Sequence, residues 1–319
     1  KRQLAFAALG VVGMALTMNV DYRLWKKYAG AALIIGFALL VLVLIPGIGV
    51  VRGGARSWLG IASFGIQPSE FMKLAMVLFV AKTLADQPSR IVSFTSGLLP
   101  MLGVLGAAFG LIMLQPDLGT GAVLVGATLM VIFAAGARIK HLAWLGIAGA
   151  AGLAALIAAA PYRLRRITAF LDPWSDPLGA GYQAIQSLYA IGPGGLVGLG
   201  LGMSRQKYSY LPEPQTDFIF SIIAEELGFI GGATVIVLFS LLVLRGLRTA
   251  ISAPDAFGSL LAVGIVGMIA VQVVINIGVV TGLLPVTGIT LPLVSAGGSS
   301  LTMILASIGI LLNISRHAR

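Results

Sequence analysis

Residues 215–232 read QTDFIFSIIAEELGFIGG, an apolar run of helical length with one carboxylate at its mouth and two more inside it. An Asp or Glu at mid-bilayer costs about 3 kcal/mol even on lenient insertion scales. The chain has 11 acidic residues against 21 basic ones, so Asp217, Glu225 and Glu226 in one run need a reason. On a helix turning about 100° per residue, Asp217, Ser221 and Glu225 fall within a stripe about 80° wide, while Glu226 points the opposite way. Such a stripe predicts a water-lined cavity with chemistry at its rim. The alternative is a cap at Asp217, with Glu225 and Glu226 ion-paired to basic side chains of a helix bundle.

The rest of the composition agrees with a membrane setting. Of 319 residues, 58% are hydrophobic and 10% charged, and mean hydropathy is +1.01, whereas soluble chains carry about 25% charged residues. The 42 glycines suit close packing of membrane helices. There is no cysteine, which excludes disulfides, thiolate metal sites and cysteine nucleophiles. His141 and His317 are the two histidines, and both sit beside basic loops, which argues against a histidine metal site. The net charge of +10 is scattered over loop ends instead of gathered on a face. It points to membrane topology and anionic lipid or phosphate, not to nucleic acid.

Apolar runs of spanning length occur near 3–20, 28–46, 91–114, 118–136, 141–160, 218–244, 257–283 and 293–314. A ninth, near 68–85, is interrupted by Glu70, Lys73 and Lys82. The reading is therefore an all-α polytopic membrane protein with about nine spans in a single domain, 1–319. Pro100 is expected to kink its helix without breaking it. The short segments DYRLWKK, Lys82–Arg90, GARIKH, RGLR and SRHAR alternate along the chain and hold the larger share of Lys and Arg. That bias places the C-terminus in the cytoplasm. With nine spans, residue 1 then lies outside, and the opening KRQLAFAALG lacks an initiator Met, so a preceding helix is expected to be absent from this sequence.

The loop 161–217 is too long and too patterned for a linker. Ile185, Leu188 and Tyr189 mark one face of a short amphipathic helix at the membrane surface, ended by Pro193, Gly194 and Gly195. Further on, Pro212 and Pro214 are expected to hold the approach to Asp217 extended, with a helix starting near Thr216. The unpaired N–H groups of that start favour an ionised Asp217 at the outer surface, suited to a general base. Arg205 and Lys207 lie just upstream. The other outer loop, VRGGARSWLGIASFGIQPSEFMK, supplies Arg52, Arg56, Trp58, Glu70 and Lys73. Cations beside a carboxylate and an aromatic suit a lipid-linked phosphate or pyrophosphate. Each Arg reads equally as a solvated loop charge, Lys73 as a snorkelling side chain and Trp58 as an interfacial anchor. GGLVGLGLG superficially matches a dinucleotide-binding loop but lacks the βαβ context. Asp117 in QPDLGT reads as an N-cap closing a helical hairpin.

These residues resemble those of the SEDS proteins (FtsW, RodA and SpoVE), polytopic peptidoglycan glycosyltransferases. The stretch from Asn276 to Ser300, NIGVVTGLLPVTGITLPLVSAGGSS, looks like the whole family signature. RSWLGIASFGIQPSEFMK, QPDLGT, DPWSDPLGAGYQAIQSLYAIGPGG and PEPQTDFIFSIIAEELGFIGG match further blocks, and SRQKYSYLPEPQTDFIF is nearer the FtsW and SpoVE branch. The resemblance implies a ten-helix fold, here without its first helix, and polymerisation of lipid II at the outer face of the bacterial cytoplasmic membrane, for division or cell shape. It implies that Asp217 is the essential Asp and Trp58 a Trp of the first large outer loop. An inverting transfer needs a base, for which Asp217 serves, and positive charge on the leaving pyrophosphate, for which Arg205, Lys207, Arg56 and Lys73 are candidates. Ser221, Glu225, Glu226, Asp117 and Glu70 are supporting polar residues. A divalent cation could share the second role, with Asp217 as its ligand. The resemblance also implies a class B penicillin-binding protein as partner, besides lipid II and membrane lipids. The rival readings are a lipid II flippase and a non-catalytic scaffold recruiting a transpeptidase.

Overall fold

The computed structural model describes residues 2–61, 64–159, 161–208 and 210–318. Lys1 and Arg319, two of the basic residues counted in the topology, lie outside the described residues. The chain divides into two units, one comprising Lys1–Ile139, Leu242–Val271 and Gly297–Arg319, the other Lys140–Leu241 and Gln272–Ala296. Its helices are α1 (Arg2–Asn19), α2 (Tyr22–Leu44), α3 (Pro68–Asp86), α4 (Leu99–Met113), α5 (Leu118–Ala134), α6 (Ile139–Ala158), α7 (Pro161–Leu171), α8 (Tyr182–Ile191), α9 (Ile219–Ile251), α10 (Ala256–Val280) and α11 (Gly298–His317). Among the described residues, five helical stretches are long and apolar enough to cross a membrane: Tyr22–Leu44, Phe94–Met113, Ile219–Ile251, Ala256–Val280 and Gly298–His317. Gln3–Asn19 and Leu118–Ala134 are shorter apolar helices.

In the first unit α1 lies against α11, and α3 against α2 and α5. The α1–α11 contact is close because Gly309 has no side chain, since a Cβ there would collide with Thr17 Oγ1 and the Met14 carbonyl. Thr17 Oγ1 donates to the Ala306 carbonyl at 2.9 Å and Asn313 Nδ2 to that of Met18 at 2.8 Å. Helix α3 is buried on nearly every face. That explains how the run interrupted by Glu70 and Lys73 is still a core helix: the two pair with each other at 2.9 Å across one turn. Lys73 therefore does not snorkel, since only 1% of its side chain is exposed. Pro100 follows a π-helical turn over Phe94–Leu98 inside the helical stretch Phe94–Met113, where the local change of helix type accommodates its missing N–H. The helix is thus disturbed at this proline without being broken.

The first unit also holds an antiparallel sheet that the all-helical reading lacks, built from β1 (Gly49–Arg52), β2 (Ala55–Ile61) and β3 (Phe64–Ile66). Gly53 and Gly54, both with positive φ, form the two-residue turn between β1 and β2. Such turns match strand twist and need residues tolerant of that conformation. In this sheet Val50 pairs with Trp58 and Leu59 with Ile66.

In the second unit, the loop expected to carry one short helix carries two, α7 and α8. The buried face of α8 runs through Ile185, Ser187 and Ala190, whereas Leu188 and Tyr189 are exposed. Of the three residues read as one apolar face, Ile185 is buried and Leu188 and Tyr189 point outward. Ser187 is drawn inward because its hydroxyl bonds Ser221 Oγ and the Val280 carbonyl, each at 2.7 Å.

Candidate active site

The second unit builds its site around an interruption in α9. At Gly228 (φ 65°, ψ −163°) the helix breaks inside its apolar run. A continuous helix would pair the Phe229 and Ile230 N–H groups with the Glu225 and Glu226 carbonyls. Instead the glycine-rich strand of chain 194–202 is inserted between them. The Phe229 and Ile230 N–H groups donate to the Gly195 and Leu196 carbonyls at 2.8 and 3.1 Å. The Glu225 and Glu226 carbonyls accept from the Leu199 and Gly200 N–H groups, both at 3.0 Å. These four groups freed by the break are thereby paired again, which is what non-helical backbone at membrane depth requires. The glycines of GGLVGLGLG serve this approach: a Cβ at Gly194 would strike the Ala224 carbonyl, and one at Gly198 that of Glu226.

The two carboxylates lock the end of this strap. Glu225 accepts from Ser204 Oγ at 2.6 Å and the Arg205 N–H at 2.8 Å. Glu226 accepts from the Gly202 N–H at 2.9 Å, the Ser204 N–H at 3.2 Å and Lys207 Nζ at 2.7 Å. The Glu226 carboxylate holds the Lys207 ammonium above its ordinary pKa. The polar stripe therefore does not line water: Ser221 is 0% and Glu225 1% exposed. Nor do Glu225 and Glu226 diverge in function, because residues 202–207 pass the helix where both side chains reach them.

Asp217 sits two residues before α9, half-buried, in a turn and not at the end of an extended segment. Glu213 adopts φ 50° between the two prolines, and its carbonyl accepts the Thr216 and Asp217 N–H groups, both at 3.2 Å. The residues after Asn276 then fix three successive carbonyls of this turn. The Ala296 N–H donates to Gln215 O at 2.8 Å, Ser295 Oγ to Thr216 O at 2.5 Å and Asn276 Nδ2 to Asp217 O at 2.8 Å. Asn276 Nδ2 also binds the Ile289 carbonyl at 2.6 Å. Gly288 (φ +74°) runs beside the carboxylate, where a Cβ would lie 3.5 Å from Asp217 Oδ2. The sequence alone assigns no role to Asn276, Gly288, Ser295 or Ala296. Their signal was the signature stretch itself, which carried no assigned roles.

The remaining expected site residues belong to the first unit. Trp58 lies under the Arg52 guanidinium, 5.0 Å from its ring centre. Arg56 Nη1 is 3.5 Å from the Leu44 carbonyl. Asp117 caps α5 through the Thr120 N–H at 3.0 Å, and its other oxygen accepts from Gln67 Nε2 at 2.9 Å. Burial raises the Asp117 pKa from its ordinary value. The Lys73 ammonium is engaged by Glu70. Among the described residues, no three His, Asp or Glu side chains converge to hold a metal ion.

The family described as cell cycle proteins, FtsW/RodA/SpoVE, matches residues 1–319. Stage V sporulation protein E of Bacillus subtilis (strain 168) is 60% identical over 319 residues, 100% of this chain and 87% of that protein. A probable peptidoglycan glycosyltransferase FtsW of Geobacter sp. (strain M18) is 44% identical over 319 residues, covering 100% of this chain and 87% of the relative. Among solved structures, a chain from a peptidoglycan synthase complex, described for its structural coordination of polymerization and crosslinking, superposes with a TM-score of 0.82 at 34% identity, covering 99% of this chain and 88% of that one. The rod shape determining protein RodA of Thermus thermophilus gives a TM-score of 0.72 at 32% identity, covering 99% and 86%.

Proposed function

This chain belongs to the FtsW/RodA/SpoVE family of cell cycle proteins, and we propose that it is a peptidoglycan glycosyltransferase that polymerises lipid II at the outer face of the cytoplasmic membrane. The observation that carries the reading is the Asp217 turn, with three successive carbonyls bound by the Asn276–Ala296 stretch. A carboxylate carried on a backbone held this firmly suits proton abstraction, which needs a base positioned within hydrogen-bond reach of its proton.

In the proposed reaction the acceptor sugar hydroxyl attacks the anomeric carbon of the donor. Asp217 takes the hydroxyl proton, the new C–O bond forms with inversion, and the bond to pyrophosphate breaks. Arg205 stabilises the departing charge, its guanidinium exposed while its backbone N–H is anchored on Glu225. Lys207 serves mainly as the tie between Glu226 and the strap. Arg56 and Trp58 remain proposed substrate contacts on the first unit, and Glu70 and Lys73 support its core. A divalent cation at Asp217 would require the substrate's phosphates to complete its ligand set.

The protein is a multi-pass membrane protein. The C-terminus is assigned to the cytoplasm on the Lys/Arg distribution. A class B penicillin-binding protein is the proposed partner, since a chain of the peptidoglycan synthase complex shares the fold. Purified protein, alone and with that transpeptidase, given lipid II, should yield glycan strands, faster in the complex. Lipid II transfer across vesicles without strand formation would favour the flippase.

A further inference from the structure

The second unit contains a cavity of about 530 Å³ bounded by α7, α8 and the segment 282–286 that follows α10. One part of its lining is cationic, with the exposed Arg165 and Arg166 of α7; another is apolar, with Phe170, Leu188, Leu284 and Val286. Arg166 Nη1 donates to the Val286 carbonyl at 3.1 Å, which fixes the guanidinium over the cavity. That bond uses one of its five N–H donors. The Arg165 side chain has no hydrogen bond or ion pair among the described residues. Asp176 also contributes to the lining, but its carboxylate is folded onto its own turn, accepting the Ala180 N–H at 2.9 Å. Leu171, Trp174 and Leu178 stand exposed nearby, as side chains facing lipid would. Two residues beyond Val286, the same segment passes the Asp217 carboxylate at Gly288.

We propose that this cavity receives the phosphate head of a membrane amphiphile. The guanidiniums of Arg165 and Arg166 bind the phosphate oxygens, and Phe170, Leu188, Leu284 and Val286 pack the first carbons of the chain. Guanidinium forks match phosphate geometry and form charge-assisted bonds, while the apolar side excludes water from the tail. Two sources share this chemistry: a pyrophosphate-linked polyprenyl substrate, an assignment that rests on the proposed function, and a bulk anionic phospholipid.

The test titrates undecaprenyl pyrophosphate, and separately dioleoyl phosphatidylglycerol, into purified full-length protein in neutral detergent, with bound lipid read by native mass spectrometry. Arg165→Gln/Arg166→Gln should weaken binding by about tenfold or more. Arg165→Lys/Arg166→Lys, which keeps charge but loses the fork, should fall between. Arg245→Gln/Arg248→Gln, an exposed pair elsewhere, should bind within about twofold of the parent. Dependence of the pyrophosphate lipid alone on Arg165 and Arg166 identifies the substrate as the source; equal dependence of phosphatidylglycerol identifies bulk lipid. Unchanged binding by the Gln pair, or equal loss in both Gln pairs, would overturn the proposal. Asp217→Asn should bind like the parent, so a polymerisation failure and a binding failure are read separately.

Discussion

Replacing Gly198 by Ala isolates what the strap contributes, because Gly202 provides a matched control. Both residues have nearly the same backbone, φ +82° and φ +81°, but a Cβ at Gly202 meets open space and one at Gly198 meets the Glu226 carbonyl. The left-handed conformation alone costs a non-glycine residue about 1–2 kcal/mol. At Gly198 the strap must also retreat, which stretches the Leu199–Glu225 and Gly200–Glu226 bonds, both 3.0 Å. Two lost bonds at about 1 kcal/mol each, with carbonyls left poorly paired, bring the total to about 3–6 kcal/mol. At a few degrees per kcal/mol, Gly202→Ala should lower the thermal midpoint by about 3 °C and Gly198→Ala by about 10 °C or more. Tryptophan fluorescence of the purified variants during heating measures both. Equal midpoints would refute the idea that the glycines serve close approach to the broken helix.

Lys73→Met leaves Glu70 buried without its partner and should cost about 3–5 kcal/mol in the same melt, while adding Glu70→Gln should recover most of it. Asn276→Ala orphans the Asp217 and Ile289 carbonyls; strand synthesis should fall more than lipid II binding, and a parallel fall in both would argue against a positioning role. Arg205→Gln should weaken lipid II binding with the melt unchanged, whereas exposed Arg316→Gln should alter neither. Burial opposes ionisation of Asp255, but hydrogen bonds from Tyr22 and Gly258, with the Arg23 charge, hold its pKa below the ordinary value. A depressed folded pKa stabilises above the unfolded value, about 3.9, and is lost as pH falls through the folded one. Asp255→Asn should therefore melt lower than the parent at neutral pH, with the gap closing in acid below that range.

The membrane character of Gln215–Gly232 was legible because a carboxylate in an apolar run is costly enough to require an explanation. Its local structure was less so. The break at Gly228 hides in a run whose hydrophobicity continues on both sides, and nothing local says that residues 194–202 supply the missing partners. The glycines of GGLVGLGLG, a superficial match to a dinucleotide-binding loop, mark backbone contact with a helix. The burial of Ser187 depends on Ser221 and Val280, which lie far away in sequence, so helical periodicity alone does not single it out as a buried polar residue. The Gly53–Gly54 hairpin did have a local signal, two glycines between short β-prone stretches, but it lay among long apolar spans and was read as loop. At Asp217 the residue was legible from charge and position. Its fixation by Asn276, Ser295 and Ala296 required the fold.

The central claim is tested most directly by glycan-strand synthesis from lipid II by purified Asp217→Asn protein with its transpeptidase partner. Asn keeps the size of the side chain, and the backbone carbonyl that Asn276 binds is untouched, so folding and partner binding should persist. The substitution removes the proton acceptor, and polymerisation should fall by about 100-fold or more, the lower range of general-base contributions. Strand synthesis near the parent rate by a folded, partner-bound Asp217→Asn protein would contradict the account.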